Sequence, residues 1–221
     1  MPKWERRKVR IELPPNVKLV NGRLHTISTD PEPVYGERIS RMDDGTYLRE
    51  WNAKRSKLAS AITSGAAVPL SERSHVLYLG AASGTTVSHV SDIAREGAVY
   101  AVEISSIEFS KLLLFSKRRQ NIVPILSNAR APELYAPLVP RVDLIYQDVS
   151  QRDQVRIFLR NMEGFSCRHG VLCLKTKSID ATSRGKDLLQ DAVREIRLSL
   201  EVRNVVSLAP YQKEHWAIIT S

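Results

Sequence analysis

The sequence predicts an α/β protein in which a mostly parallel, doubly wound sheet follows a small antiparallel β domain. Three observations indicate this fold. Short apolar runs recur along the chain with helical or polar segments between most of them, as in strand–helix–strand units. The run at 76–80 leads into a glycine-containing turn, and the run at 99–103 ends in an acid. The first 50 residues instead alternate apolar and polar side chains.

Residues 1–50 are predicted to form the antiparallel β domain, and residues 51–221 the larger domain. The alternation covers 9–13, 17–20 and 23–27, which is typical of strands with one buried face. Asn21-Gly22 is a hairpin turn signal. Prolines and a glycine between residues 31 and 36 then interrupt the pattern, and Asp43-Asp44-Gly45 marks a further turn.

The larger domain is predicted to begin with a helix and then to alternate strands and helices. Leu58, Ala59 and Ile62 have helical spacing, and this helix should end near Gly65. Further helices are expected at 88–95, 107–119, 151–162 and 186–200. Strands are expected at 76–80, 99–103, 122–126, 143–147, 171–175, 202–208 and 216–220.

The last two strands are too close in sequence for a helix between them, so they should form an antiparallel hairpin at one edge of the sheet. An antiparallel last strand distinguishes the methyltransferase variant of this architecture from the dinucleotide-binding dehydrogenases. The hairpin therefore favours the former.

Charge and cysteine content limit the possible function. The chain has 33 Lys and Arg against 24 Asp and Glu, a net charge of +9, which favours a polyanionic partner, although a solubilising surface has the same composition. Cys167 and Cys173 are too few and too poorly spaced for a metal site or a disulfide framework, so we expect no metal and a cytoplasmic location. No apolar stretch approaches the roughly 18 residues of a membrane span, so no membrane association is expected.

The turn from Gly80 to Gly84, together with Glu103, predicts a site for a ligand that carries a ribose. Glycines allow close backbone approach, and an acid at the end of the next strand can accept hydrogen bonds from a ribose diol. The turn lacks the glycine spacing of dinucleotide-binding proteins and the G-x-S-x-G pattern of hydrolases. A turn that serves only chain reversal and a nicotinamide-dependent dehydrogenase remain alternatives. Thr85 and Thr86 either cap the next helix or face a ligand carboxylate.

Several segments, in the same order over essentially the whole chain, resemble the fibrillarin family in its archaeal form. They are Arg49–Asn52, Arg55–Leu58, Tyr78–Thr86, Ser88–Asp92, Tyr100–Glu103, Asp143–Val149, Ser178–Asp180 and Pro210-Tyr211 with Lys213 and His215. The resemblance implies a Rossmann-like S-adenosylmethionine-dependent methyltransferase fold, with a seven-stranded mixed sheet whose last strand is antiparallel. It also implies methyl transfer to the ribose 2′-hydroxyl of rRNA or tRNA.

The resemblance implies which residues contact S-adenosylmethionine. Thr85 and Thr86 would hold the methionine end, Glu103 the ribose, and Asn128 the adenine edge. The full set is Gly80, Ala81, Thr85, Thr86, Glu103, Ile104, Asn128, Ala129, Asp148, Val149, Ser150 and Gln151. Asn128 replaces the family's usual aspartate, so an acceptor oxygen is kept and the charge is lost. Ser150 stands where alanine is common.

The family's catalytic set corresponds to Lys57, Asp148, Lys175 and His215. Asp148 and Lys175 fall at the carboxyl ends of two predicted strands, where open sheets bind ligands. Lys177 is the rival of Lys175, because two residues along a strand point the same way. We hypothesise that Lys175 takes or orients the 2′-hydroxyl proton, that Asp148 fixes Lys175 and the methyl group, and that Lys57 and His215 position the ribose.

The resemblance also implies partners: a box C/D guide RNA that selects the target nucleotide in rRNA or tRNA, a Nop-type scaffold protein and a kink-turn-binding protein. Basic runs at 6–8 and 117–119, and Arg38 with Arg41, are candidates for phosphate contacts. They lack the interleaved aromatics that stack on bases. The N-terminal β domain is a candidate for the scaffold contact. A non-catalytic RNA-binding subunit with the same fold remains an alternative.

Overall fold

A computed structural model describes residues 12–180 and 182–221. The N-terminal part is a four-stranded antiparallel sheet with the strand order β1-β2-β4-β3. Its strands are β1 (Val17–Val20), β2 (Arg23–Ser28), β3 (Ile39–Arg41) and β4 (Tyr47–Trp51).

The hairpin β1–β2 is confirmed, and the turn residues explain it. Asn21 and Gly22 both have positive φ, 50° and 74°, which a two-residue hairpin of the favoured twist requires. The strands β3 and β4 were not predicted, although the turn at 43–45 that joins them was. Of the strand predicted at 9–13, residues 9–11 lie outside the described residues, and Glu12 and Leu13 are not in a strand.

The larger sheet has the predicted seven strands, in the order β10-β11-β9-β8-β5-β6-β7. The strands from β9 to β7 run parallel, whereas β11 lies antiparallel between β9 and β10, as the predicted hairpin requires. The bounds are β5 (His75–Leu79), β6 (Ala98–Glu103), β7 (Ile122–Leu126), β8 (Leu144–Gln147), β9 (Gly170–Lys175), β10 (Val202–Ser207) and β11 (His215–Thr220).

The five predicted helices are present with shifted ends, and one short helix is added. The helices are α1 (Lys57–Thr63), α2 (Thr85–Ile93), α3 (Ser106–Ser116), α4 (Gln154–Gly164), α5 (Thr176–Ile179) and α6 (Gly185–Ile196). The helix α2 starts three residues before the prediction because Gly84, at φ +96°, lets the chain turn directly into it. The short helix α5 was not predicted, so Lys177 lies in a helix and not on the strand that ends in Lys175.

Apolar side chains cover both faces of the larger sheet, as expected for buried parallel strands. Along β5, Val76 and Tyr78 belong to one core, while Leu77 and Leu79 belong to the core on the opposite face. The first core also contains Trp51 and other apolar side chains of the N-terminal sheet, so the two predicted domains share a core. None of the helices described is long and apolar enough to span a membrane.

Candidate active site

A cavity of about 180 Å3 lies at the carboxyl edge of the larger sheet, where β5, β6 and β8 end. Most of the residues that the resemblance assigns to the cofactor line it: Gly80, Glu103, Ile104, Asn128, Ala129, Asp148, Val149, Ser150 and Gln151. Ala82, Val102, Ser127, Arg130 and Ile157 also line it and were not predicted from the sequence. The sheet edge is where open α/β sheets bind ligands.

The glycine turn brings two backbone segments into contact at this cavity. Gly80 has φ +82°, and a Cβ atom there would lie 2.5 Å from the carbonyl oxygen of Asp148. The main-chain nitrogen of Asp148 in turn donates a hydrogen bond to the carbonyl of Leu79 at 2.9 Å. Any side chain at position 80 would displace the loop that carries Asp148. The turn therefore does more than reverse the chain, because it also sets the floor of the cavity.

Backbone amides hold the carboxylate of Glu103 in a fixed orientation. Its Oε2 accepts a hydrogen bond from the nitrogen of Ala82 at 2.7 Å. Its Oε1 accepts bonds from the nitrogens of Ile104 and Ser105 at 2.9 and 2.8 Å. A carboxylate has about four acceptor positions, so the three amides leave capacity for a ligand hydroxyl. Next to it, the Ile104 side chain is 58% exposed and offers an apolar surface.

Arg130 stabilises the opposite wall of the cavity. Its guanidinium forms an ion pair with Asp153 at 2.6 Å and donates to Oε1 of Gln151 at 3.1 Å. Its main-chain nitrogen donates to Oδ1 of Asn128 at 3.0 Å. The Asn128 oxygen therefore already accepts one bond and keeps one acceptor position. The sequence could not reveal this role, because Arg130 and Asp153 are distant along the chain.

Ala81, Thr85 and Thr86 lie outside the lining of the cavity. The hydroxyl of Thr86 donates to Oγ of Ser56 at 3.0 Å, and Ser56 is the N-cap of α1. Neither threonine caps α2, because the N-cap of that helix is Gly84, which makes no side-chain bond. Thr86 therefore connects the start of α2 with the start of α1, where Lys57 lies.

The four residues of the predicted catalytic set meet at the same edge. Nζ of Lys57 lies 2.7 and 2.8 Å from the two carboxylate oxygens of Asp148. Lys175 and His215 are directly opposite each other on the antiparallel strands β9 and β11. Nζ of Lys175 donates to Oγ of Ser150 at 3.2 Å. Because Asp148 and Ser150 both line the cavity, the cluster borders it.

The pairing within this cluster differs from our hypothesis. Asp148 was expected to fix Lys175, but it is bound by Lys57, and Lys175 instead reaches the Ser150 hydroxyl. Lys177, the rival of Lys175, forms a salt bridge with Glu214 at 2.8 Å. Ser150 therefore supplies a side-chain acceptor for Nζ of Lys175, a contact that alanine could not make.

Burial and neighbouring charges determine the protonation states of Lys57 and His215. Burial alone would lower the pKa of Lys57, but the Asp148 carboxylate outweighs this and raises that pKa above its ordinary value. Burial lowers the pKa of His215, and the charges of Lys57 and Lys175 lower it further. Nδ1 of His215 lies 2.7 Å from the carbonyl of Lys213, to which it donates. Lys57 is thus a cation at neutral pH, and His215 is a neutral imidazole with Nε2 as an acceptor.

Neither cysteine is a nucleophile for this site. Burial, and then the nearby Asp148 carboxylate, raise the pKa of Cys173 to about 12. Its sulfur lies 3.1 Å from the hydroxyl of Tyr146 inside the core. Cys167 is also buried, and burial raises the pKa of its thiol. In residues 12–180 and 182–221, no group of three or more His, Cys, Asp or Glu side chains is placed to hold a metal ion.

Comparison with solved structures identifies the fold. One chain of a fibrillarin/Nop5p complex is 40% identical, superposes with a TM-score of 0.87, and is matched over 95% of this chain and 98% of that one. Aeropyrum pernix fibrillarin, solved with natively bound S-adenosyl-L-methionine, is 39% identical with a TM-score of 0.83, and 93% of each chain is covered. The predicted seven-stranded methyltransferase fold is therefore confirmed.

Sequence comparison gives the family. A protein of Thermoplasma acidophilum named fibrillarin-like rRNA/tRNA 2′-O-methyltransferase is 46% identical over 205 residues, which cover 92% of this chain and 88% of that protein. The sequence profile of the family described as Fibrillarin matches residues 16–221. These matches exclude the alternative of a nicotinamide-dependent dehydrogenase. The chain belongs to the fibrillarin family.

Proposed function

We propose that this chain is an S-adenosylmethionine-dependent RNA ribose 2′-O-methyltransferase that acts on rRNA and tRNA as the catalytic subunit of a box C/D guide RNA–protein complex. The observation that carries this proposal is the meeting of Lys57, Asp148, Lys175 and His215 beside the cavity at the sheet edge. The names of the relatives support it, since the Thermoplasma protein is called an rRNA/tRNA 2′-O-methyltransferase and the Aeropyrum protein binds S-adenosyl-L-methionine.

The residues at the cavity fit an adenosine-containing methyl donor. The contact of Gly80 with Asp148 leaves no room for a side chain, so a ligand there would meet backbone. Glu103 would accept bonds from the ribose hydroxyls, Ile104 would pack against the adenine, and Asn128 would accept from its amino group. When bound, S-adenosylmethionine supplies an electrophilic methyl group on a sulfonium.

The cluster beside the cavity is suited to activating a ribose hydroxyl. A 2′-hydroxyl is a poor nucleophile at neutral pH, so it needs a proton acceptor or close alignment. Lys57 is held as a cation by Asp148 and does not accept the proton. We assign to Lys175 the role of taking or orienting the proton, and to His215 and Lys57 the positioning of the ribose. General-base assistance contributes about 10²–10⁴-fold, whereas orientation can contribute roughly 7–11 kcal/mol, so positioning is the larger effect.

The proposed partners are the guide RNA, a Nop-type scaffold and a kink-turn-binding protein. The net charge of +9 and the exposed Arg38 and Arg41 support contacts with RNA phosphates. Arg119 is excluded from that role, because it is buried and paired with Asp92, and residues 6–8 lie outside the described residues. The related chain solved with Nop5p supports a Nop-type scaffold. Two free buried thiols are compatible with a cytoplasmic location, which we also propose.

Reconstitution tests the proposal. The full chain is combined with a Nop-type protein, a kink-turn-binding protein, one guide RNA and its target, and ribose methylation is measured by mass spectrometry. We expect methylation at the nucleotide selected by the guide, and little methylation when the purified chain meets naked target RNA. Cofactor binding without any transfer in the full complex would instead identify a non-catalytic subunit. Efficient, site-directed methylation by the chain alone would contradict the dependence on partners.

A further inference from the structure

A buried side chain that the proposed chemistry does not use lies directly behind Lys175. We propose that Gln154 is a positioning residue, whose side-chain amide fixes the main chain of Lys175 against the cavity loop 148–151. Gln154 is the first residue of α4 and is completely buried. The inference rests on the proposed function, because it concerns how Lys175 is held for that reaction.

Three hydrogen bonds carry the inference. Oε1 of Gln154 accepts from the main-chain nitrogen of Lys175 at 2.8 Å. Nε2 donates to the carbonyl of Lys175 and to the carbonyl of Gln151, both at 3.0 Å. Both amide hydrogens and one acceptor position are therefore used. One side chain thus joins the end of β9 to the loop whose residues line the cavity.

The sheet explains why this amide is needed. The strand β8 ends at Gln147, which lies opposite Leu172, whereas β9 continues three residues further to Lys175. The main-chain N–H and C=O of Lys175 both face the side where β8 has already ended. Lys175 is half-buried, and without Gln154 its main chain would lose these two hydrogen bonds, each worth about 0.5–1.5 kcal/mol. The side-chain amide of Gln154 makes the two main-chain hydrogen bonds that a longer β8 would otherwise make to Lys175.

The same geometry brings Lys175 and His215 together. Because both main-chain groups of Lys175 bond to Gln154, they are not shared with β11. Lys175 and His215 are therefore a non-hydrogen-bonded antiparallel pair, the type whose side chains are closer. By fixing the Lys175 main chain, Gln154 sets the position from which the Lys175 side chain, opposite His215, reaches the Ser150 hydroxyl.

Gln147 holds Gln154 in turn. The side-chain amide nitrogen of Gln147, also completely buried, donates to the main-chain carbonyl of Gln154 at 2.7 Å. The ends of β8 and β9 and the start of α4 are thereby connected through two glutamines. The Lys175 main chain is fixed from inside the protein, and only its side chain extends to the site.

Two substitutions of Gln154 test its hydrogen bonds while keeping the approximate size of its side chain. Gln154→Met keeps the length of the side chain and removes all three bonds, while Gln154→Glu keeps an acceptor for the Lys175 nitrogen and loses both donors. Asn121→Leu is the matched control, because the Asn121 amide also makes three bonds, to Ser91 and Ala94, far from the cavity. Should Gln154→Met not fold, Gln154→Glu carries the test.

The measurement is the single-turnover rate of methyl transfer in the reconstituted complex at saturating S-adenosylmethionine. We expect both Gln154 variants to lose roughly 10- to 100-fold in this rate, since small misplacements at a site cost that much. The affinity for S-adenosylmethionine should change less than about threefold, and Asn121→Leu should keep its rate although its melting temperature falls.

The transfer rate of a double variant distinguishes an effect that acts through Lys175 from a general loss of structure. If Gln154 acts through Lys175, then Gln154→Met with Lys175→Ala should be no slower than Lys175→Ala alone. Losses that multiply, or Gln154 variants that behave like Asn121→Leu, would overturn the inference. A wild-type complex that transfers no methyl group would refute the proposed function instead, which is a distinguishable result.

Discussion

Charged side chains are concentrated in two regions of this molecule, and the regions differ in how completely their charges are matched. At the contact between the N-terminal sheet and α2, the guanidinium of Arg49 pairs with Glu37 and, at 2.6 Å, with Asp92. Asp92 also pairs with Arg119. Arg49 is fully buried, so every charge in this first region depends on its partner.

At the sheet edge, the charges are only partly matched and remain in reach of solvent. Lys57 and Asp148 form one pair with side chains 19% and 18% exposed. For Lys175 and His215, the structure shows no acidic partner among residues 12–180 and 182–221. Matched, buried charges therefore stabilise the fold in the first region. At the open edge, Lys175 and His215 have no such partner, and we propose that they meet the substrate there.

The largest expected effect is on Lys175 at the edge. We expect Lys175→Ala to lower the single-turnover rate of methyl transfer by roughly 10²–10⁴-fold in the reconstituted complex, because it removes the group that we propose takes or orients the 2′-hydroxyl proton. The binding of S-adenosylmethionine, measured by calorimetry, should be unchanged. Lys177→Ala is the matched control and should be nearly fully active, since Lys177 pairs with Glu214. Near-normal transfer by Lys175→Ala would defeat this assignment.

The next largest effect is expected for Arg49 in the buried region. Arg49→Met leaves Glu37 and Asp92 without this partner, so the free energy of unfolding should fall by about 3–5 kcal/mol in urea titrations. The control is Arg23→Met, which breaks an exposed pair with Glu50 and should cost less than about 1 kcal/mol. Equal losses for the two variants would show that burial does not separate the two regions.

A smaller effect is expected for Glu103, whose carboxylate is held by three backbone amides. Glu103→Gln removes the charge, and a hydrogen bond to a charged group is worth about 1.5–3 kcal/mol. We therefore expect S-adenosylmethionine to bind roughly tenfold more weakly in calorimetry. Glu108→Gln, on the partly exposed surface of α3, should bind as the wild type does. Unchanged affinity in Glu103→Gln would remove Glu103 from the cofactor site.

The smallest effect is a pH dependence that distinguishes two histidines. Burial, and then the charges of Arg49 and Arg119, hold the pKa of His89 well below its ordinary value. Between that lowered pKa and the unfolded value of about 6.5, the unfolded chain binds more protons. The stability that the neutral His89 contributes should therefore be fully present above about pH 6.5, and the free energy of unfolding should decrease as the pH falls below that value.

Unfolding in urea at pH 5 and pH 7 measures this difference. The pH dependence should shrink strongly in His89→Gln, because His89 is completely buried and bonded to Thr26 and Tyr35. It should shrink less in His215→Gln, because His215 lies at the half-exposed edge, where its pKa is lowered as well. An unchanged pH dependence in His89→Gln would contradict the assignment of His89 as a neutral buried residue.

The pattern of hydrophobic residues was sufficient to predict most strands and helices. It failed for β4, a strand that carries a buried charged residue. The seven strands of the larger sheet were predictable because apolar runs bounded by turns have few other interpretations. The strand β4 was missed because its central residue is Arg49, which a pattern of hydrophobicity assigns to solvent. Only the folded chain brings Glu37 and Asp92 beside it.

The family resemblance and the predicted strand ends were sufficient to locate the candidate site. They did not predict which of its side chains form hydrogen bonds with one another. Asp148 and Lys175 could be placed at one edge because they follow or end neighbouring strands. That Asp148 pairs with Lys57 depends on how α1 packs against the sheet, and these residues are 91 positions apart. The role of Gln154 was equally hidden, since it depends on β8 ending before β9.

We propose above that Lys57, Asp148, Lys175 and His215, beside the cavity, direct a methyl group to a ribose oxygen. The most direct test incubates the reconstituted complex with S-adenosylmethionine carrying a deuterated methyl group and maps the product by mass spectrometry. We predict that the label lies on the 2′-oxygen of the nucleotide selected by the guide and is nearly absent with Lys175→Ala. Label on a base, or equal labelling by the wild type and Lys175→Ala, would contradict the claim.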